Sequence, residues 1–84
     1  MNTEQRRTLH ILFTKPVPSS VPWNDIISLL RALDATIGEG CGSRIRVELN
    51  GHDATFHAPH PRPVADQGRV RAVREFLEKA GVKP

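Results

Sequence analysis

Apolar and polar positions alternate at helical spacing near both ends of the chain and at strand spacing in its middle. Leu9, Leu12 and Phe13 recur at i, i+3, i+4, while Glu4, Arg6 and Arg7 are left for solvent, which predicts a helix from about Thr3 to Phe13. The stretch KPVPSSVP ends it, because three prolines remove backbone donors. A second helix is predicted from Asn24, with Asn24 as its cap, Asp25 at the positive end of the dipole and Ile26, Leu29, Leu30 and Leu33 as its stripe. Trp23, just before that cap, is expected to close the core. From Asp66 to about Ala80 the period is helical again, with Val70, Val73, Phe76 and Leu77 inward and Gly81 placed to end the helix.

Between these helices the period drops to two. Ala35 to Glu39 reads as a short strand, followed by a Gly40-Cys41-Gly42 turn. From Ser43 to Leu49, Ile45, Val47 and Leu49 share one face, and Arg44, Arg46 and Glu48 share the other. Asn50-Gly51 is a two-residue hairpin signal, since a type I′ turn needs positive φ at both positions. The returning strand is His52 to Ala58. With Asn50 and Gly51 as the loop, opposed residues have numbers summing to 101. Val47 then meets Ala54 and Ile45 meets Phe56 on the buried face. On the open face Glu48 meets Asp53, Arg46 meets Thr55, and Arg44 meets His57, with opposed Cβ atoms roughly 4.5–5.5 Å apart. A slip of one residue would bury Arg44 and expose Ile45, so the register is well specified. The element order is α-α-β-β-β-α. The fold class is α+β, a three-stranded antiparallel sheet with its helices on one face.

Composition narrows the setting. Eighty-four residues allow one domain, and a chain of this size buries only about 60–65% of its unfolded surface. An apolar content of 38% is too high for disorder. No apolar run approaches the roughly 20 residues that cross a bilayer. The start, MNTEQRRTLHILF, lacks the apolar stretch and small-residue cleavage site of a signal peptide. Cys41, the single cysteine, rules out an internal disulfide and suits a reducing compartment. Together these features make the cytoplasm the expected setting, with no membrane partner expected. A net charge of +3 tilts the expectation towards a polyanionic or acidic partner, and the placement of the charges has to decide.

A short helix (Ile26 to Leu33), a Gly42-Ser43 step into the second strand, a Pro59-His60-Pro61 after the third and a closing segment Phe76 to Val82 together resemble the HicA toxins. The resemblance covers about residues 23 to 82. Individually the motifs are short; their order and spacing carry the likeness. It implies a double-stranded-RNA-binding-like fold, an mRNA endoribonuclease activity independent of the ribosome, and a HicB-like antitoxin partner. On this view residues 1–84 form one HicA-like domain, with residues 1–22 as a helical extension and proline-rich connector and 23–82 as the core. In typical members the Gly-Ser step is followed by a histidine thought to be catalytic. Here that position is Arg44.

Arginine stays protonated at physiological pH and cannot act as a general base. His57 is the replacement candidate, since the register sets it across from Arg44 on the same face. RNA cleavage by 2′-hydroxyl attack needs a proton acceptor, a proton donor and positive charge at the phosphorane; histidine suits the proton transfers and arginine the charge. The expected catalytic residues are therefore His57 and Arg44. An exposed histidine beside an arginine is most often only a solvated pair, and it is the family likeness that raises His57 above that.

Arg46, His60, Arg62 and Arg69 are the expected RNA contacts. Arg62 and Arg69 flank the start of the last helix, where free N–H groups favour phosphate. His60, held between two prolines, shapes its loop and is a lesser candidate for phosphate contact. From Arg74 onward the charges read as an ordinary solvated face. His52 is read as structural and His10 has no evident partner. His52 and His57 point to opposite strand faces, and no Cys pair or HExxH pattern accompanies them, so neither a metal site nor a cofactor is expected. Two other readings stay open at this stage: an inert RNA-binding module of the same fold, and a subunit whose sheet binds only a protein partner.

Overall fold

The structure, a computed structural model, describes residues 1–84. Its elements run α1 (Thr3–Leu12), β1 (Val21–Pro22), α2 (Trp23–Ala32), β2 (Thr36–Glu39), β3 (Arg44–Leu49), β4 (His52–His57), β5 (Val64–Ala65) and α3 (Gln67–Lys79). β2, β3 and β4 form an antiparallel sheet in that order, so the fold is the expected α+β arrangement of three helices and a three-stranded sheet, consistent with a double-stranded-RNA-binding-like fold.

α1 and α3 start for local reasons, and α2 does not. Asn2 caps α1 through a reciprocal pair with Gln5: the Asn2 side chain accepts from the Gln5 N–H at 2.8 Å, and the Gln5 side chain accepts from the Asn2 N–H at 2.9 Å. α2 starts differently from expectation. Asn24 does not cap it; the cap position is Pro22, with no side-chain hydrogen bond, and Trp23 is the first helical residue. The cause lies outside the helix: the Trp23 N–H donates to the Pro63 carbonyl at 2.9 Å, which satisfies one of the open donors of the first turn and holds the chain there one residue earlier. Asp66 caps α3 by accepting from the Arg69 N–H. Both α2 and α3 end in the same motif. Asp34 (φ 65°) and Gly81 (φ 81°) sit in the left-handed region, and the next residues, Ala35 and Val82, donate back to Leu30 and Leu77.

The core joins all three helices to the sheet. Leu12, Ile26, Leu29, Leu30, Val47, Val70, Val73 and Leu77 are fully buried. α1 packs against α2 and α3 and so belongs to this core. A two-stranded pairing of β1 with β5, unforeseen in the sequence, ties the proline-rich connector to the segment before α3 and buries Val21 and Ala65. Asn50 and Gly51 both have positive φ (51° and 83°), as the hairpin requires. The Asn50 amide also donates to the Ala80 carbonyl at 2.8 Å, fastening the turn to the end of α3. No helix is long and apolar enough to cross a membrane.

Candidate active site

The register of β3 against β4 is the one the Asn-Gly turn dictates: Arg44 opposes His57, Arg46 opposes Thr55, and Glu48 opposes Asp53. Val47, Leu49 and Phe56 are buried, Ile45 and Ala54 are half-buried, and Arg44, Arg46, Glu48, Asp53, Thr55 and His57 are exposed. The Ala58 N–H donates to the Ser43 carbonyl at 2.9 Å, which marks 43 and 58 as a hydrogen-bonded pair. Because such pairs alternate along an antiparallel ladder, Arg44 and His57 occupy a non-hydrogen-bonded pair, the kind with the closer side chains.

Charge is graded along the open face. Glu48 and Asp53 sit at the hairpin end, and Arg44 and His57 at the far end. Arg46, between them, forms an ion pair with Asp53 at 3.0 Å. Both of its partners are mostly exposed (63% and 57%), so the pair adds little stability. Its effect is on the field: the carboxylate offsets the Arg46 charge, and the unopposed positive charge of the face lies at Arg44.

Beyond His57 the chain meets the start of α3. Arg69 spans the two, its Nε–H donating to the His57 carbonyl at 2.9 Å and its terminal N–H to the Asp66 carboxylate at 3.1 Å. A hollow lies on each side of Arg69. One, of about 240 Å³, is bordered by Thr55, His57, Gly68 and Arg69. The other, of about 290 Å³, is bordered by Ser19, Ser20, His60, Arg62, Asp66 and Arg69. The tertiary structure thus gathers His57, His60, Arg62 and Arg69 at one end of the molecule. Arg44 borders a separate hollow with Glu39, Gly42 and Ser43. His52 is exposed at the hairpin end, remote along β4 from His57, and His10 is exposed on α1. Cys41 is exposed in its turn. No three His, Cys, Asp or Glu side chains converge as a metal site.

Two features of this region were not anticipated. Ser19 and Ser20 border the same hollow as His60 and Arg62, because β1 pairs with β5 and draws the connector alongside. Arg69 bonds to His57 across twelve residues, a contact for which the sequence holds no signal beyond the Asp66–Arg69 spacing.

The family model of the HicA toxin of bacterial toxin-antitoxin systems matches residues 23–82. The chain belongs to the HicA toxin family. The match begins at Trp23, the first residue of α2, and closes at Val82, the residue that completes the turn after α3. α1 and the connector lie outside it although α1 shares the core. Among curated proteins and among solved structures, no match to this HicA chain is found. Family membership supports a toxin role, an endoribonuclease activity in general terms and an antitoxin partner of the HicB type.

Proposed function

We propose that this HicA toxin is an mRNA endoribonuclease, independent of the ribosome, that cleaves by attack of a 2′-hydroxyl on the adjacent phosphate. His57 transfers the proton and Arg44 stabilises the phosphorane. The observation that carries this reading is the pairing itself: Arg44 directly opposes His57 at a non-hydrogen-bonded position on the exposed sheet face. In the first step a base removes the 2′-hydroxyl proton as that oxygen bonds to phosphorus. The 5′-oxygen leaves with a proton, and the product keeps a 2′,3′-cyclic phosphate. In-line attack sets the two oxygens on opposite sides of phosphorus, so one imidazole serves one of the transfers, as base or as acid. The Arg44 guanidinium offers a planar fork of donors to the equatorial oxygens where negative charge develops. His60 and Arg62, on the neighbouring hollow, and Arg46, on the sheet, supply further contacts to the RNA backbone. The test is induced expression together with analysis of RNA products. Growth arrest and cyclic phosphate ends, unchanged by EDTA, are the expected results; a wild-type chain that cleaves no RNA would refute the assignment.

The same face suits the antitoxin. A toxin has to be silenced in the cell that makes it, and an acidic surface over Arg44, Arg46 and His57 would both match the charge and block the imidazole. Replacing Arg44 and Arg46 together by Glu should therefore weaken binding of a HicB-like partner by about tenfold or more, measured by calorimetry. Unchanged affinity would place the interface elsewhere.

A further inference from the structure

β4 is an edge strand, hydrogen-bonded to β3 on one side only. Because His57 sits in a non-hydrogen-bonded pair with Arg44, its N–H and C=O point away from β3, towards the open edge. An edge carbonyl has no strand partner and ordinarily takes water. Here it takes Arg69. The Arg69 Nε–H donates to it at 2.9 Å, and a terminal N–H of the same guanidinium donates to one Asp66 oxygen at 3.1 Å. The other Asp66 oxygen accepts the Arg69 main-chain N–H at 2.9 Å and caps α3. The guanidinium is planar, so holding two of its donors fixes the carbonyl relative to the helix start. One residue earlier, Phe56 packs edge-on against Phe76 of α3, with ring centroids 5.8 Å apart. The end of β4 is thus pinned to α3 at two successive residues, and the second pin is on the backbone of His57.

The geometry points to Arg69 as a positioning residue that holds His57 for cleavage, rather than as a contact to RNA. This rests on His57 being the proton-transfer residue proposed above. Arg69 is the side chain that ties the open edge of β4 at His57 to the start of α3, and proton transfer is sensitive to misplacement of the imidazole: a shift of about 1 Å can cost on the order of 100-fold in rate. Unlike Arg46, it has two of its donors already engaged, one by the His57 carbonyl and one by Asp66, which lowers its value as a phosphate ligand.

The test compares wild type with Arg69→Ala and Arg69→Lys in RNA cleavage, RNA binding at several salt concentrations, and NMR of the His57 ring. Circular dichroism checks that each variant is folded. Arg69→Ala should lower kcat by about 10–100-fold with KM within about twofold, leave the salt dependence of binding unchanged, and shift or broaden the His57 ring signals. Arg69→Lys keeps the charge but not the two-donor fork, and should recover only a minor part of kcat. A raised KM, with the salt slope reduced by about one and kcat intact, would overturn the proposal and make Arg69 a phosphate contact. Full recovery by Lys would overturn it as well. If wild type cleaves nothing, the assignment of His57 as catalytic fails, yet the NMR comparison still decides the positioning role: ring signals that do not move in either folded variant refute it.

Discussion

Replacing His57 by alanine should lower RNA cleavage by about 10²–10⁴-fold, the usual loss when a general acid or base is removed. Induced in cells, the variant should no longer arrest growth. The fold should survive the change for two reasons. The side chain is exposed, so its removal creates no cavity and should change stability by no more than about 0.5 kcal/mol. The tie to Arg69 uses the main-chain carbonyl of residue 57 and does not depend on the imidazole. Arg44→His, made beside an intact His57, should retain measurable activity, since it returns a histidine to the position after Gly42-Ser43. Both variants can be read in one experiment by primer extension on a defined transcript, with thermal melts as the control. Full toxicity in a folded His57→Ala chain would remove this residue from the mechanism and direct attention to His60, across Arg69 in the adjacent hollow.

Replacing Phe76 by alanine should destabilise the chain by about 3–5 kcal/mol, the range for a buried phenylalanine. Phe76 is 5% exposed and meets Phe56 edge-to-face, with an interplanar angle of 82°. The contact joins α3 to β4, so its loss opens a cavity where the edge strand rests on the helix. A domain of this length is stable by only about 4–13 kcal/mol in total, so much of its stability is at stake. The melting temperature should fall by at least about 12 °C, measured by circular dichroism. Phe76→Leu, which keeps most of the volume, should recover more than half of the loss. An unchanged melt for Phe76→Ala would mean that β4 is held by other contacts. Because Phe56 precedes His57, the alanine variant should also lower cleavage below the melting transition, linking the packing of the core to the site.

Much of this architecture is local in origin and could be read without coordinates. The stripes Leu9/Leu12, Ile26/Leu29/Leu30 and Val70/Val73/Phe76/Leu77 are buried as their spacing requires, and Asp66 and Gly81 bound α3 as helix-start and helix-stop residues. The hairpin shows most clearly how far local chemistry reaches. Asn50 and Gly51 accept positive φ at low cost, the two-residue turn sets which residues oppose each other, and period two assigns their faces. Arg44 beside His57 on an open face follows from those three facts. The Gly42-Ser43 and Pro59-His60-Pro61 steps suggested the family only together with Ile26 to Leu33 before them and Phe76 to Val82 after them, through their order and spacing.

Other features were decided by contacts between segments far apart in sequence, where no spacing rule applies. Asn24 has the right chemistry for a cap, but the Pro63 carbonyl had already taken the Trp23 N–H and let the helix begin earlier. β1 and β5 are two residues each, too short for any periodicity, and exist because Val21 and Ala65 can be buried together. Arg46 is matched to Asp53 diagonally across the strands, and Arg69 reaches the His57 carbonyl only because β4 is an edge strand lying beside the start of α3. The sequence by itself determined the apolar stripes of the three helices and which residues pair across the hairpin, since those depend on neighbours a few positions away. Only the tertiary structure decided which polar groups are free to act and which are held, because a hydrogen bond between distant segments depends on where the burial of the core has brought them.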